Sequence, residues 1–503
     1  MALLLGLDVG TTGCKAAVFD EAGRTIASHT EEYPLYHPQP GWAEQEPEEW
    51  WRGVVGAIQV VLVDDGVDAG EIAAIGLSGQ MHGAVLLDEA RLPVHRAIIW
   101  SDGRTTAQCR TITETVGAEK LIELTGNPAL EGFTAPKVLW VREQEPEHFA
   151  RARLLLLPKD YIRYRLTDEI AMEISDAAGT LLFDVRQGRW SGELLDALGL
   201  PASLLPEVRG SAEVCGHVTP DVAKLTGLVA GTPVVGGGAD NACGAVGTGV
   251  VRAGLVAVSI GTSGTVLAHA DEARIDPEGR VHTFNHSVPG AYYLMGVHQA
   301  AGYSLRWLRD TLGFGGKGGD VVYERMTGEA AEVPPLAKGL VFLPYLQGER
   351  TPHMDAAARG VFFGLSGVHT RAHLTRAVLE GVAFSLRDSW EILREQGLPI
   401  DEVRITGGGA RSDVWMGILA SVLGVELVRT SATEGPAFGA ALLAGVGAGV
   451  WSSISEACET TIRPLDTIQP DTSVTEQYTE GYGFYQELYP ALKDLFPHGV
   501  KLG

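Results

Sequence analysis

Two stretches of the chain carry the same succession of apolar and polar positions. Residues 4–22 read LLGLDVGTTGCKAAVFDEA and residues 255–273 read LVAVSIGTSGTVLAHADEA. Each is an apolar run, a Gly-Thr-x-Gly tip, a second apolar-rich run and a polar turn. Gly10, Thr11 and Gly13 fall on Gly261, Thr262 and Gly264. Apolar runs broken by such a tip predict a β-hairpin, with glycine supplying the positive φ of a tight turn. Backbone N–H groups left free at the tip can cradle a phosphate oxygen. Two like tips, one near the start and one near the middle, predict two related lobes facing one nucleotide. The copies differ at one telling position: Asp8 in the first is Ser259 in the second. A carboxylate repels phosphate, so Asp8 reads instead as a ligand, direct or through water, of a Mg²⁺ that bridges phosphate oxygens.

Elsewhere the pattern predicts strands that end in polar groups. Residues 72–88 (IAAIGLSGQMHGAVLLD) begin as a buried strand and are interrupted by Gln80, Met81 and His82. Polar side chains there need partners or a ligand. Residues 97–106 (AIIWSDGRTT) repeat the design with Trp100, Asp102 and Arg104, at the kind of strand end that lines a ligand crevice in α/β sheets. In TPVVGGGADNACGAVGTG, residues 232–249, a strand runs through three glycines to a lone carboxylate, Asp240, and a small-residue helix. Asp240 could cap that helix or serve in catalysis; the second hairpin, a few residues on, favours catalysis. In residues 403–424, VRITGGGARSDVWMGILASVLG, the side-chain-free Gly407-Gly408-Gly409 turn offers a flat surface to a planar base. Ser412 reads there as a cap or a ligand contact.

Helices are expected over 297–313, from Thr370 to about Gln396, and from near Pro136, with Lys137 a solvated cap. Residues 154–167 read as a strand and a basic turn of structural kind. GFGGKG at 313–318 matches GxGxxG but follows a helix, and Gly318 stands where a Walker A loop has Ser or Thr, so neither nucleotide motif applies.

At 503 residues the chain exceeds one core, and two large domains are expected, 1–250 and 251–503, dividing near Gly249–Gly254. A net charge of -24 argues against nucleic acid as a partner. The start, MALLLGLDVG, has no basic region before its apolar run, and no apolar stretch is long enough to span a bilayer, so neither a signal peptide nor a membrane partner is expected. Five scattered cysteines without a CxxC fit reduced thiols and a cytoplasmic setting.

The order of these features resembles that of an actin/hexokinase-type ATPase. More narrowly, the chain resembles the FGGY family of carbohydrate kinases through PGWAEQEPEEWW, SGQMHGAVLLD, FTAPKVLWV, LLPKDYIRYRLT, ISDAAGT, GGGADNACGAVGTG, SIGTSGT, YLQGERTPH, RGVFFGL and ITGGGARSDVW, in that order. The resemblance runs to about Ala444. It implies an α/β, two-lobed, ribonuclease H-like fold with an interlobe cleft, and ATP-dependent phosphorylation of a small sugar with Mg²⁺. Gln80-Met81-His82-Gly83 most favours D-xylulose as the acceptor, over glycerol or ribulose. By the resemblance Asp240 is the general base and, with Asp8, lies at the metal–phosphate end. Met81 and His82 contact the sugar, with Gln80, Trp100 and Asp102 beside it. Gly10, Thr11 and Thr12 face Gly261, Thr262 and Ser263 across the phosphates, and Gly408, Gly409 and Ser412 line the adenine pocket. Ser101 departs from the family pattern, which has Asn there, and bears on sugar discrimination. A homodimer is compatible with the resemblance. Rival readings are a chaperone- or filament-like ATPase, which would not need Gln80, His82 and Asp102, and a sugar sensor without catalysis, which would not need Asp8 and Asp240.

Overall fold

The apolar runs of the first hairpin become the central strands of a sheet. In the computed structural model, which describes residues 2–313, 319–432 and 434–502, β1 (Leu3–Val9), β2 (Gly13–Phe19) and β3 (Thr25–Glu32) form an antiparallel meander. On the other side of β1 runs β4 (Ile72–Gly79), parallel to it. Beyond β4 come β5 (Val214–His217), β6 (Pro233–Val235) and the short β7 (Gly238–Ala239), giving the order β5-β6-β4-β1-β2-β3 with β7 beside the end of β4. The second hairpin builds the same thing again. Its strands are β8 (Gly254–Ile260), β9 (Gly264–Ala270), β10 (His282–Asn285), β11 (Tyr292–His298), β12 (Ile400–Thr406), β13 (Leu427–Thr430) and β14 (Pro464–Ile468). They lie in the order β10-β11-β9-β8-β12-β13-β14. In both sheets the hairpin pairs antiparallel and its first strand meets a later strand in parallel, β1 with β4 and β8 with β12.

Helices cover the sheets where the pattern is amphipathic. α1 (Pro47–Gln59) opens on a proline with Glu48 and Glu49 in its first turn, which suits the positive end of a helix, and buries Trp50, Val54 and Ile58. α2 (Pro158–Thr167) and α3 (Ile174–Ala178) precede the turn into α4 (Asp240–Gly247). In the second half, α5 (Gly302–Thr311), α6 (Arg371–Glu395) and α7 (Asp413–Leu423) pack on the second sheet, and α6 buries Val378, Val382 and Leu386 in its core. Residues Val297 and His298, expected in a helix, instead end β11, in register with Thr265 and Gly264 of β9. The meander takes them as its last rungs, and α5 begins only at Gly302. The GFGGKG stretch lies, apart from Gly313, outside the described residues.

The two halves meet through small residues. α8 (Gly435–Gly447), though late in the chain, packs on the first sheet: a Cβ on Gly6 would lie 2.0 Å from Ala437 O, and one on Gly76 would lie 1.9 Å from Ala440 O. α8 also crosses α4, where a Cβ on Gly439 would lie 1.8 Å from Cys243 O. Each backbone contact forbids any side chain, so this crossing fixes where α4, and Asp240 at its start, sits between the lobes. Residues between β4 and β5 pack on β10 and β11. There Asn127 Nδ2 donates to Thr283 O at 3.0 Å and Asn285 Nδ2 to Val185 O at 3.1 Å. Among the described residues, no helix is long and apolar enough to cross a membrane.

Candidate active site

The two hairpin tips are built alike. Gly10 N–H donates to Gly13 O and Gly261 N–H to Ser263 O, both at 3.0 Å. None of Gly10, Gly13, Gly261 and Gly264 has the positive φ expected of them. Two of them are needed for close approach instead: a Cβ on Gly13 would meet Glu31 O at 2.6 Å, and one on Gly264 would meet Ala301 Cβ at 3.0 Å. Thr12, Thr262 and Ser263 are exposed at the tips. The second tip is braced by the start of α5, where Gly302 N–H reaches Gly261 O at 2.9 Å and Tyr303 N–H reaches Thr262 O at 3.0 Å. The first is braced by side chains. Trp100 Nε1 donates to Thr11 Oγ1 at 2.9 Å, and Gln80 Nε2 donates to Gly10 O at 3.3 Å and to Gln45 Oε1 at 2.7 Å. Gln45 Nε2 in turn donates to Thr11 O at 2.7 Å.

Strand register brings the two candidate carboxylates to one edge. Asp8 of β1 is opposite Ser78 of β4, and Ser78 is opposite Gly238 of β7, two residues before Asp240. Asp8 Oδ1 is buried without a hydrogen-bond partner. Burial raises the Asp8 carboxyl above the usual range, with the Ser78 hydroxyl and the Lys15 charge drawing it back. Burial, then the charge of Asp8, pushes Asp240 up to about 7. Asp240 Oδ1 accepts from the backbone N–H of Asn241 at 2.7 Å and from its Nδ2 at 2.9 Å. Two close carboxylates, Asp240 raised in part by the charge of Asp8 and Asp8 with an orphaned oxygen, make a donor set that suits a hard divalent cation. Among the described residues, no group of three or more such side chains could hold a metal alone. A cation here would thus share its oxygens with phosphate, as Mg²⁺ commonly does.

Beside Asp240 lies the end of β4. Met81 is buried, and its sulfur accepts from Asn241 Nδ2 at 3.5 Å. His82 has φ 68°, a strained conformation for this residue. Lys137 Nζ and Thr134 Oγ1 hold it there, both donating to His82 O at 3.1 Å. His82 Nδ1 is 2.6 Å from Gly179 O. A carbonyl only accepts, so Nδ1 carries the proton and Nε2 is an acceptor. Burial, with the charges of Lys137 and Arg350, pushes His82 down to about 3, so the ring is neutral. Asp102 is buried in a pair with Arg104, whose Nη2 donates to it at 2.7 Å, while Ala43 N–H donates to it at 2.6 Å. Arg104 lies over Trp42, 3.7 Å from the ring centre, and near Trp140 at 4.8 Å. Gln80 and Asp102 thus have their polar atoms bonded within the protein, and Ser101 sits in the exposed turn between Trp100 and Asp102.

Against the second hairpin tip, Gly407 has φ 87°, and a Cβ there would lie 2.5 Å from Ile260 O. One on Gly409 would lie 2.5 Å from Ile260 Cγ2, whereas one on Gly408 would meet nothing within 4 Å. Gly407 and Gly409 press the turn onto the end of β8, and Gly408 faces open space. Ser412 Oγ accepts from Trp415 N–H at 3.3 Å and caps α7.

Several residues enter the site that the sequence pattern did not single out. Asn241 is simply the neighbour of Asp240. Lys137, expected at the surface, is fully buried under His82, and burial brings its ammonium down to about 7. The hydrophobic pattern of its helix gave no sign of this, because its neighbours are apolar on every side. Lys159, Glu173, Ser175 and Asp176 form a buried cluster behind the Asp240 turn. Lys159 Nζ lies 2.9 Å from Asp160, 3.2 Å from Asp176 and 3.9 Å from Glu173, and donates to Gly236 O at 3.2 Å. Ser175 Oγ accepts from Ala239 N–H at 3.0 Å. The cluster therefore grips the turn on both sides of Gly237, which itself has φ 75°.

Comparison with known proteins fits this geometry. The N-terminal domain of the FGGY family of carbohydrate kinases matches residues 3–247, and its C-terminal domain matches residues 256–448. Xylulose kinase of Bacillus subtilis (strain 168) is 40% identical over 495 residues, 98% of each chain. The L-xylulose/3-keto-L-gulonate kinase of Escherichia coli (strain K12) is 34% identical over 494 residues, 97% of each chain. The crystal structure of xylulose kinase from Rhodospirillum rubrum superposes with a TM-score of 0.90 at 32% identity, covering 98% of this chain and 99% of that one.

Proposed function

Because the chain belongs to the FGGY family of carbohydrate kinases, we propose that it transfers the γ-phosphoryl group of ATP to the primary hydroxyl of D-xylulose, giving D-xylulose 5-phosphate. It is a phosphotransferase with an alcohol as acceptor, and the whole-length likeness to xylulose kinases supports D-xylulose in particular. The observation that carries the reading is the contact of Met81 with Asn241, which joins the sugar-side strand end to the turn of Asp240.

Phosphoryl transfer asks for positioning, charge neutralisation and a group that takes the hydroxyl proton. Asp240 takes that proton; a carboxylate raised to about 7 is a stronger base than an ordinary one and is still largely ionised just above neutrality. Asp8 and Asp240 would hold Mg²⁺, whose charge offsets that of the phosphate oxygens. Met81 packs on the sugar, and neutral His82 accepts a hydrogen bond from a sugar hydroxyl at Nε2. Gln80, Trp100 and Asp102 position this wall through Thr11 and Arg104. Thr11, Thr12, Thr262 and Ser263 flank the phosphates, and Gly408, Gly409 and Ser412 border the adenine. In this division residues 1–250 carry the sugar side and residues 251–503 the adenine side. The setting we propose is cytoplasmic, in keeping with five unpaired thiols.

The test is ATP consumption with Mg²⁺ against no sugar, D-xylulose, L-xylulose, D- and L-ribulose, and glycerol. D-Xylulose is expected to give the highest kcat/KM. Preference for L-xylulose would move the reading toward the E. coli relative at 34% identity, and no stimulation by any sugar would overturn it.

A further inference from the structure

In a chain with 63 acidic and 39 basic residues, a buried cation ordinarily finds a carboxylate. Arg104, on the sugar-side wall, shows the usual outcome: it is stacked on Trp42 and paired with Asp102 and Glu44. Arg350 is different. It is half-buried, and among the described residues its guanidinium has no hydrogen-bond or ion-pair partner. Glu349 and Glu131 are near enough to act on its charge, yet neither pairs with it.

The loop that bears Arg350 is rigidly tied to the second lobe. Glu349 and Asp355 exchange backbone bonds of 2.9 and 2.8 Å, Thr351 N–H donates to Val297 O at 3.0 Å, and Thr351 Oγ1 donates to Arg280 O at 3.0 Å. Arg350 N–H itself donates to Glu349 Oε1 at 2.7 Å. From this base the side chain crosses to the first lobe. A Cβ on Gly132 would lie 3.9 Å from Arg350 Nη2 and 3.1 Å from the carbonyl oxygen of Trp100. Gly132 also accepts from Lys137, which supports His82. The guanidinium therefore stands over the wall that carries Trp100 and His82, in space left open by the missing side chain at 132. Its charge is felt at His82 and at the neighbouring His282.

We propose that Arg350 is the second lobe's contribution to the acceptor site, donating from its planar fork to two oxygens of the bound sugar. This rests on the sugar-kinase reading above. A guanidinium offers five donors and no acceptor, which suits a hydroxyl pair or a carbonyl and hydroxyl of an acyclic ketose. His82 Nε2 on the facing lobe can only accept, so the two groups read opposite ends of a hydroxyl's bonding capacity. Because Arg350 and His82 come from different halves of the chain, sugar bound between them links acceptor recognition to the relation of the lobes.

Steady-state kinetics of Arg350→Ala, Arg350→Gln and Arg350→Lys test this, after wild type has shown sugar-dependent ATP consumption. Loss of charged-group hydrogen bonds is expected to raise the sugar KM about 10- to 100-fold in the Ala and Gln variants. The KM for ATP should move less than about threefold, with Arg350→Lys intermediate. Guanidinium ion at millimolar concentration should lower the sugar KM of Arg350→Ala and leave wild type unaffected, a rescue that a purely structural role would not give. An unchanged sugar KM in folded Ala or Gln variants overturns the proposal, as does an equal rise in the KM for ATP. If wild type itself shows no sugar dependence, the sugar-kinase reading fails instead.

Discussion

Replacing Asp240 with Asn should make the protein a far poorer catalyst and a more stable one. Burial and the charge of Asp8 raise this carboxyl from 3.8 to about 7, so in the folded protein it holds its proton more tightly than in the unfolded chain. Stability then falls as pH rises from about 4 to about 7 and is level above that. A carboxyl held at about 7 rather than 3.8 corresponds to about 4 kcal/mol of destabilisation at neutral pH. Asp240 is partly exposed, and solvent screening reduces this to about 2 kcal/mol. Asn has no charge to desolvate and can accept as the carboxylate does, so Asp240→Asn should recover most of that amount. In a lobe of this size that is roughly 4 °C in melting temperature. The melting temperatures should be compared at pH 8 and pH 5 without nucleotide, with the larger gain at pH 8. Turnover with D-xylulose should fall by roughly 10²–10⁴, the range expected for loss of a general base. Equal melting temperatures at pH 8, or wild-type turnover with the chemical step rate-limiting, would refute the argument.

Three further outcomes follow from the same geometry. Asp8→Asn removes the charge that helps raise Asp240, so in the free enzyme the Asp240 carboxyl, followed by carboxylate NMR, should titrate at lower pH, while the Mg²⁺ requirement for turnover rises. Gly408→Ala, which meets open space, should leave the melting temperature unchanged and raise the KM for ATP, whereas Gly407→Ala, at φ 87° and 2.5 Å from Ile260 O, should lose about 1–3 kcal/mol in a denaturant titration. Lys137→Met should raise the sugar KM severalfold by releasing His82 from its positive φ, and Lys137→Arg, too bulky for the buried site, should not restore it.

Much of the fold could be read from the hairpin repeat, because strands buried on both faces show as plain apolar runs and the tips as Gly/Thr breaks. The end of β11 could not. Val297 and His298 carry apolar spacing compatible with a helix, and only the pairing with Thr265 and Gly264 makes them strand. The hairpin glycines were legible as glycines but not for their reason, since contact with Glu31 O and Ala301 Cβ comes from parts of the chain far from each tip. The same holds for Lys137 and Arg350. Lys137 is assigned to the surface by its own chemistry and Arg350 to the bracing of its own loop, whereas the carbonyls of His82 and Gly132, and the gap beside Gly132, exist only after folding.

The duplication also explains why only one lobe bears the acids. If Ser259 were an aspartate, the β8 tip would, on the proposed reading, bring a third carboxylate toward the phosphates that Asp8 and Asp240 would face. One divalent cation can offset two carboxylates near phosphate, and a third would go uncompensated. At the matching position of β8, Ser259 stands opposite Thr406 and Thr265, neutral groups that neither need nor attract a cation. At β1, Asp8 stands opposite Lys15, which pairs with Glu434, so that nearby cation is shared and offsets the Asp8 charge only in part. The first lobe thus keeps an unmet negative charge at its strand end and the second keeps none. A Ser259→Asp change should accordingly raise the KM for MgATP at least tenfold while the fold is kept, and a variant that bound MgATP like wild type would show that the lobes are not divided in this way.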